Sequence, residues 1–149
     1  AQIKNGASII QIFDSWAGLL SEKDLDYFVY KPIKSLVDFI RQKKTISICF
    51  PRNINSYKEF VDNVNPDIIS IDYNVDPSII RDTIDIPVQG GLDPKILLQN
   101  KEIVRNEVTK YLKTFDKKRY IFNLGHGVLP ETNPDMVRYL VDEVRSFNG

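Results

Sequence analysis

The sequence contains one histidine, His126, which lies between two glycines in the segment FNLGHGVLPETNPDMV. Gly125 and Gly127 carry no side chains, so backbone or a ligand can approach the imidazole closely. As a hydrogen-bond donor, this imidazole could hold a carboxylate. A histidine on a turn that bonds only a neighbouring carbonyl would give the same pattern. Its position directly after an apolar run favours the ligand site.

Other residues with chemical potential also follow apolar runs. In FDSWAG, Ser15 is either a turn or capping residue or a donor to a ligand, and no G-x-S-x-G motif supports a nucleophile. Trp16 is interpreted as a wall of the site. Asp14 and Asp72 are each either a buried carboxylate satisfied by backbone donors or an acid or base facing a substrate. Arg52 either meets an anionic ligand or lies in solvent.

The motifs of common cofactor and metal sites are absent from the sequence. VQGGLDP has paired glycines but neither G-x-G-x-x-G nor G-K-[ST], so it predicts tight packing. The single cysteine, Cys49, lies in an apolar run and is expected in the core. There is no H-E-x-x-H motif, cysteine pair or Cys/His cluster. The sequence motifs therefore support neither a dinucleotide or phosphate-loop site nor a metal site.

Five apolar runs predict strands of a parallel sheet buried on both faces. They span residues 8–13, 45–50, 67–73, 86–91 and 120–125. Apolar residues at three- and four-residue steps predict helices over 25–40 and 137–144. Three helix starts carry an Asp or Asn cap followed by proline, at Asp76-Pro77, Asp93-Pro94 and Asn133-Pro134. These repeated βα units predict an α/β fold, either an open doubly wound sheet or a closed barrel. In both, ligands bind at the carboxyl ends of the strands, where His126 lies.

Composition narrows the class of protein. The 149 residues suffice for one domain spanning 1–149, and 20 basic and 20 acidic residues cancel without long charge runs, which disfavours nucleic-acid binding. No apolar run reaches the length of a membrane span, and one cysteine is typical of a reducing compartment, so a soluble cytoplasmic protein is expected. The opening AQIKNG reads as a helix end capped by Gly6, with no helix before it. We expect the chain to be the downstream part of a longer protein.

Three separated segments resemble one enzyme family. GASIIQIFDSWAGLLS, PVQGGLDPKILL and YIFNLGHGVLPETNPDMV resemble, in order, the later part of the uroporphyrinogen decarboxylases, and DIISIDYNVDP between them also fits. The resemblance covers essentially the whole chain. Many members have asparagine where this chain has Gly91, which puts the geometry of that loop in question.

The resemblance implies a fold and an activity. The chain would form the C-terminal five βα units of a TIM (β/α)₈ barrel whose N-terminal part is absent from it. The family, usually homodimeric, removes the carboxyl groups of four acetate side chains from uroporphyrinogen to give coproporphyrinogen, without cofactor or metal. The F-[DE]-S and G-H-G motifs line its substrate pocket, which implies substrate contacts for Phe13, Ser15 and His126. The family's pyrrole-binding aspartate, arginine loop and pocket tyrosine lie earlier, so no catalytic residue is expected in this segment, only upstream of Ala1.

Two alternatives remain at this point. The corrinoid-linked methyltransferases of the same superfamily bind zinc and typically carry a cysteine where this chain has His126. They also have a histidine and a cysteine close together after one strand, whereas Cys49 has no histidine near it in the sequence. A stand-alone flavodoxin-like binding module of five strands would instead have a complete first helix and a true N-terminus.

Overall fold

The computed structural model describes residues 1–115 and 119–147, which fold around one parallel β-sheet. The five strands are β1 (Ile9–Asp14), β2 (Ile46–Pro51), β3 (Ile68–Ile71), β4 (Val88–Gly90) and β5 (Tyr120–Ile121). Their spatial order is β1-β2-β3-β4-β5, and each neighbouring pair is parallel. The predicted α/β class and the five parallel strands are therefore confirmed. The last strand is shorter than predicted, and only an isolated parallel bridge between Leu92 and Leu124 continues it.

Helical segments follow each strand. They are α1 (Glu22–Leu25), a π-helical turn (Asp26–Tyr30), α2 (Lys31–Gln42), α3 (Tyr57–Val64), α4 (Pro77–Thr83), α5 (Lys101–Thr114) and α6 (Pro134–Ser146). Short 3₁₀ turns occupy Ile3–Asn5, Ala17–Leu19 and Pro94–Leu98. Gly6 ends the first turn with φ 95° and donates its N–H to the Ile3 carbonyl, as predicted. No helix in the described part of the chain is long and apolar enough to cross a membrane.

The three Asp/Asn-Pro pairs cap helical segments as predicted. Asp76 accepts from the Ser78 N–H at 2.8 Å. The side chains of Asp93 and Asn133 accept from N–H groups two residues later, each at 2.9 Å. The Asp93 cap begins only a 3₁₀ turn, because Gln99 is extended and Asn100 then caps α5 separately. All three caps lie on connections that follow strands.

The two faces of the sheet have different surroundings. Side chains alternate between the faces of a strand, and paired residues of neighbouring strands share a face. One face packs against the helices and forms the core, to which the strands contribute Cys49, Ile69, Ile71 and Val88. Register places Gln11, Ile48, Ser70 and Gln89 on the opposite face. We call this opposite face the inner face.

The inner face is concave. Gln89 on β4 donates a hydrogen bond from Nε2 to Oε1 of Gln11 on β1, at 3.4 Å. Two strands lie between β1 and β4, and three strand intervals of a flat sheet would hold parallel side chains about 14 Å apart. The sheet therefore curls strongly enough to bring the side chains of its first and fourth strands into contact.

Candidate functional site

A cavity of about 300 Å³ lies on the inner face, at the carboxyl ends of the strands. It is lined by Gln11, Phe13, Ser15, Phe50, Ser70, Asn123, Leu124, Gly125, His126 and Gly127. The structure thus brings together all three residues for which substrate contacts are expected, although 113 positions separate the first from the last: Phe13, Ser15 and His126. They come from the two ends of the sheet, β1 and the connection after β5.

Ser15 reaches the cavity through the turn that ends β1. The Trp16 N–H donates to Oδ1 of Asp14 at 3.2 Å, and the Arg52 N–H donates to the Asp14 carbonyl at 3.0 Å, which ties this turn to β2. The 3₁₀ turn that follows has no side-chain cap. Within the described ranges, the Ser15 hydroxyl has no hydrogen-bond partner. Ser15 therefore lies in a turn, as one interpretation has it, but it caps no helical segment, and its hydroxyl is free to bind a ligand in the cavity.

His126 is exposed, and its two glycine neighbours have different roles. A Cβ on Gly125 would lie 2.5 Å from the Tyr73 nitrogen, so only glycine allows the connection to pack against the end of β3. The Gly125 N–H donates to the Leu92 carbonyl at 2.7 Å. A Cβ on Gly127 would meet nothing within 4 Å. The imidazole makes no hydrogen bond to the part of the chain that is described, unlike the turn histidine considered from the sequence.

Phe13 supplies an apolar wall. Its ring packs edge-on against Phe50 of β2, with ring centroids 6.0 Å apart and an interplanar angle of 77°. Phe13 is nevertheless 66% exposed. The cavity therefore combines an aromatic wall with hydroxyl and imidazole donors.

Several lining residues are not predicted from the sequence. Gln11 and Ser70 line the cavity, and Gln89, 6% exposed, lies beneath it and donates Nε2 hydrogen bonds to both. A usable signal exists in the sequence. Each of the stretches IIQIF, IISI and PVQG contains one uncharged polar residue between apolar or glycine neighbours, and the strand register places those three residues on one face.

Asp72 is a buried, satisfied carboxylate. It is 1% exposed, and its oxygens accept from the Tyr57 hydroxyl and from the N–H groups of Asn53 and Asn74. Burial and then the Asp72 carboxylate raise the pKa of Tyr57, so its hydroxyl remains a donor. Of the two roles left open for Asp72, the structure supports the structural one.

Three further residues lie apart from the cavity lining. Trp16 is 74% exposed and does not line the cavity, so its interpretation as a wall is wrong. Arg52 is half-buried and its Nε is enclosed without a hydrogen-bond partner in the described residues. Cys49 is fully buried on the helix side, as expected of a core residue, and burial raises the pKa of its thiol to about 12.

The paired glycines of VQGGLDP pack tightly, as predicted. Gly90 and Gly91 have φ of 89° and 111°. Their carbonyls accept hydrogen bonds from the Tyr120 and Tyr111 hydroxyls at 2.8 and 2.6 Å. A Cβ on Gly91 would lie 2.8 Å from Cε1 of Tyr111. The Tyr111 ring thus occupies the space that an asparagine side chain at position 91 would need in this loop.

Comparison with known proteins gives a consistent result. The family model described as uroporphyrinogen decarboxylase matches residues 1–147. Uroporphyrinogen decarboxylase of Rickettsia felis is 39% identical over 150 residues, covering 98% of this chain and 43% of the relative. The enzyme of Rickettsia bellii is 42% identical over 154 residues, covering 98% and 44%. The chain therefore spans less than half the length of these curated relatives.

Among solved structures, thiamine phosphate pyrophosphorylase from Pyrococcus furiosus aligns over 95% of this chain and 87% of that one, with 12% identity and a TM-score of 0.39. A similarity of that size does not bear on the site. The match of the family model does bear on the site, because it spans nearly every residue and includes both segments that form the cavity. The chain belongs to the uroporphyrinogen decarboxylase family.

Proposed function

We propose that the protein acts as a uroporphyrinogen decarboxylase, a carboxy-lyase of haem and tetrapyrrole biosynthesis that converts the four acetate side chains of uroporphyrinogen III to methyl groups. One observation carries this proposal. The three residues to which the family resemblance gives substrate contacts, Phe13, Ser15 and His126, line one cavity at the carboxyl ends of the strands. Two of them offer hydrogen-bond donors to an anionic substrate.

The chemistry suits a site built from neutral donors. When a protonated pyrrole loses CO₂ from its acetate side chain, the bond between the methylene carbon and the carboxyl carbon breaks. Its electron pair moves into the ring. A proton then adds to the methylene carbon to give a methyl group, and the ring carbon releases its extra proton, which restores the pyrrole. Because the substrate is its own electron sink, the protein has to bind, orient and stabilise charge. Ser15 and His126 are assigned to hold substrate carboxylates by hydrogen bonding.

The five strands are proposed to be part of a TIM (β/α)₈ barrel. Three features support this: sequential strand order, helices packed on one face, and curvature that joins Gln11 to Gln89. In this proposal the preceding part of the barrel supplies the pyrrole-binding aspartate, the arginine loop and the pocket tyrosine. No catalytic residue is assigned to the present segment. A cytoplasmic homodimer without cofactor or metal is proposed on the family resemblance alone.

Structural details favour this function over the two alternatives. The zinc-binding methyltransferases of the same superfamily typically carry cysteine ligands at the site, whereas Cys49 belongs to the core between sheet and helices, on the other face from the cavity that His126 lines. A flavodoxin-like module would have the strand order 2-1-3-4-5, whereas this sheet follows the order of the chain. The decarboxylase is therefore the function retained.

The proposal is tested by an anaerobic assay of the full-length protein with uroporphyrinogen, following products with seven to four carboxyl groups. Ser15→Ala and His126→Ala should each lower kcat/KM by about 10-fold to 100-fold, through the loss of a charge-assisted hydrogen bond, without unfolding the protein. Ser21→Ala, at an exposed position before α1, serves as the control. Absence of decarboxylation by the full-length protein would refute the function, and unchanged kinetics in both variants would remove these residues from the site.

The same assay applied to residues 1–149 alone should detect no turnover. Without the groups that orient the pyrrole and stabilise its charge, most of the rate enhancement is lost, since one misplaced electrostatic donor already costs about 10²-fold to 10³-fold. Adding the preceding segment should restore activity. Turnover by the isolated 149 residues would show that the chemistry lies in this half of the barrel.

A further inference from the structure

Beneath the cavity, three uncharged polar side chains meet among the apolar strand residues of the inner face. They come from three strands: Gln11 from β1, Ser70 from β3 and Gln89 from β4. Gln11 and Ser70 line the cavity, while Gln89 lies behind them. Ser70 and Gln89 are 4% and 6% exposed. Polar groups buried to this degree cost free energy unless they are hydrogen-bonded, so their pairing determines what they offer a ligand.

The donors and acceptors of this cluster can be counted. Nε2 of Gln89 donates to Oε1 of Gln11 at 3.4 Å and to Oγ of Ser70 at 3.3 Å. A carboxamide nitrogen has two hydrogens, so both are used. The Gln11 oxygen is thereby engaged, but the two hydrogens on its own Nε2 are not. Ser70 likewise receives a hydrogen bond and keeps its hydroxyl hydrogen.

The base of the cavity consequently presents donors. In the described part of the chain, neither the Gln11 amide hydrogens nor the Ser70 hydroxyl hydrogen has an acceptor. The ten residues that line the cavity also include no aspartate or glutamate. A ligand group that accepts several hydrogen bonds fits this arrangement, and a carboxylate does so best. A pyrrole N–H, itself a donor, does not fit.

We propose that Gln11 and Ser70 form a carboxylate-binding position at the base of the cavity, deeper than Ser15 and His126, with Gln89 as the positioning residue that orients both. In identifying the ligand as a uroporphyrinogen carboxylate, the inference rests on the proposed function. Gln89 acts through its neighbours. By occupying their acceptors with its own amide hydrogens, it leaves their hydrogens for the substrate.

Reversing the direction of these hydrogen bonds tests the proposal. Glutamate has almost the same shape as glutamine but only accepts, so in Gln89→Glu the Gln11 amide and the Ser70 hydroxyl would donate to residue 89 instead of the ligand. Gln89→Met, also similar in shape, removes the two hydrogen bonds that Gln89 donates but leaves the donors of Gln11 and Ser70 available. Gln42→Glu makes the same charge change at an exposed position at the end of α2 and is the matched control.

Binding is measured anaerobically with the full-length protein, using uroporphyrinogen and its octamethyl ester as probes. We expect Gln89→Glu to raise the dissociation constant of the acid by about 10-fold to 100-fold, Gln89→Met by less, and Gln42→Glu by less than about 2-fold. Affinity for the ester should change little, because it has no carboxylate. If Gln89 only maintained the structure, its substitution would weaken binding of the acid and of the ester equally, and Gln89→Met would weaken binding as much as Gln89→Glu.

Gln11→Met provides a second route if Gln89→Glu does not fold, because Gln11 is only partly buried. It should weaken binding of the acid selectively, by about 5-fold or more. Equal losses for acid and ester, or no loss, would overturn the inference. Turnover, measured in parallel, separates the two hypotheses. If the wild-type protein decarboxylates uroporphyrinogen but the variants do not lose affinity selectively for the acid, only this inference is refuted. If the variants do lose affinity selectively for the acid but the wild-type protein shows no turnover, only the proposed function is refuted.

Discussion

Tyr57 and Asp72 bind each other through two hydrogen bonds. The Tyr57 hydroxyl donates to Oδ2 of Asp72 at 2.8 Å and accepts from the Asp72 backbone N–H at 3.0 Å. The same Oδ2 accepts from the Asn53 N–H at 2.7 Å, and Oδ1 accepts from the Asn74 N–H at 2.7 Å. This carboxylate therefore joins the end of β3 to the start of α3 and to the connection after β2.

Tyr57→Phe should lower the free energy of unfolding by about 1 to 3 kcal/mol. The phenyl ring keeps the packing, but Oδ2 of Asp72 loses one of its two hydrogen bonds and the buried Asp72 backbone N–H loses its partner. Urea denaturation monitored by circular dichroism measures the change. Tyr27→Phe removes a hydroxyl from a residue that is 68% exposed, and should change stability by less than about 0.5 kcal/mol. Equal midpoints for the two variants would show that the hydrogen-bond pair does not stabilise the fold.

Gly91→Asn should destabilise the protein by about 1 to 3 kcal/mol, although many relatives are expected to have asparagine there. Gly91 has φ 111°, and an added Cβ would lie 2.8 Å from Cε1 of Tyr111 and 3.1 Å from Cδ1 of Ile71. In a Tyr111→Ala background the cost should fall, because the contact with Tyr111 is removed while the contact with Ile71 and the backbone strain remain. Thermal or urea unfolding of the four proteins in this cycle gives the coupling.

The control for this cycle is Gly127→Ala. The backbone of Gly127 does not have positive φ, and a Cβ there meets nothing within 4 Å. Its stability should therefore remain within about 0.5 kcal/mol of the wild type. If Gly91→Asn were equally neutral, the loop would have to accept the larger side chain by moving Tyr111.

Cys49 should resist alkylation in the folded protein. Burial and, secondarily, Asp67 raise the pKa of its thiol from 9.0 to about 12. Because the pKa of the thiol is higher in the folded state, its contribution to the free energy of unfolding is complete below pH 9 and is lost as pH rises toward 12. Iodoacetamide labelling between pH 8 and 10, read from the Cys49 peptide by mass spectrometry, should be slow in the native protein and fast in urea. Comparable native and denatured rates would contradict this.

Residues 1–149 made alone should self-associate. Strands β1 and β5 are at the edges of the sheet, and four apolar side chains of the inner face are exposed by 41% to 66%: Ile9, Phe13, Ile46 and Ile121. Unpaired strand edges beside apolar surface promote pairing between chains. Light scattering over a concentration series should show the apparent mass rising. A constant monomer mass would contradict the prediction.

Ile9→Lys should reduce this association, since a charge on an edge strand opposes pairing. Ile79→Lys introduces the same charge at a side chain that is 60% exposed on α4, away from the strand edges. It should associate as the unmodified segment does. Equal suppression by both substitutions would indicate a general effect of net charge.

Much of the architecture is predicted from the sequence because it depends on neighbouring residues. Apolar runs, helical periodicity and the Asp/Asn-Pro caps act over a few positions. The five strands, of which the last is shorter than predicted, the helices predicted over 25–40 and 137–144, and all three caps lie where these patterns predict them. The positions of Ser15 and His126 beside a ligand cavity follow for the same reason, since both come directly after apolar runs and parallel strands end at one edge.

The relationships between distant residues were decided only by the tertiary structure. The curvature of the sheet, which no local pattern encodes, brings Gln11 to Gln89 and turns three isolated polar residues into one cluster. The satisfied state of Asp72 and the exposure of Trp16 likewise depend on what packs around each side chain. Residue type and spacing determine which groups reach the end of the sheet. The packing of the whole chain determines which of them are already bonded and which remain free for a ligand.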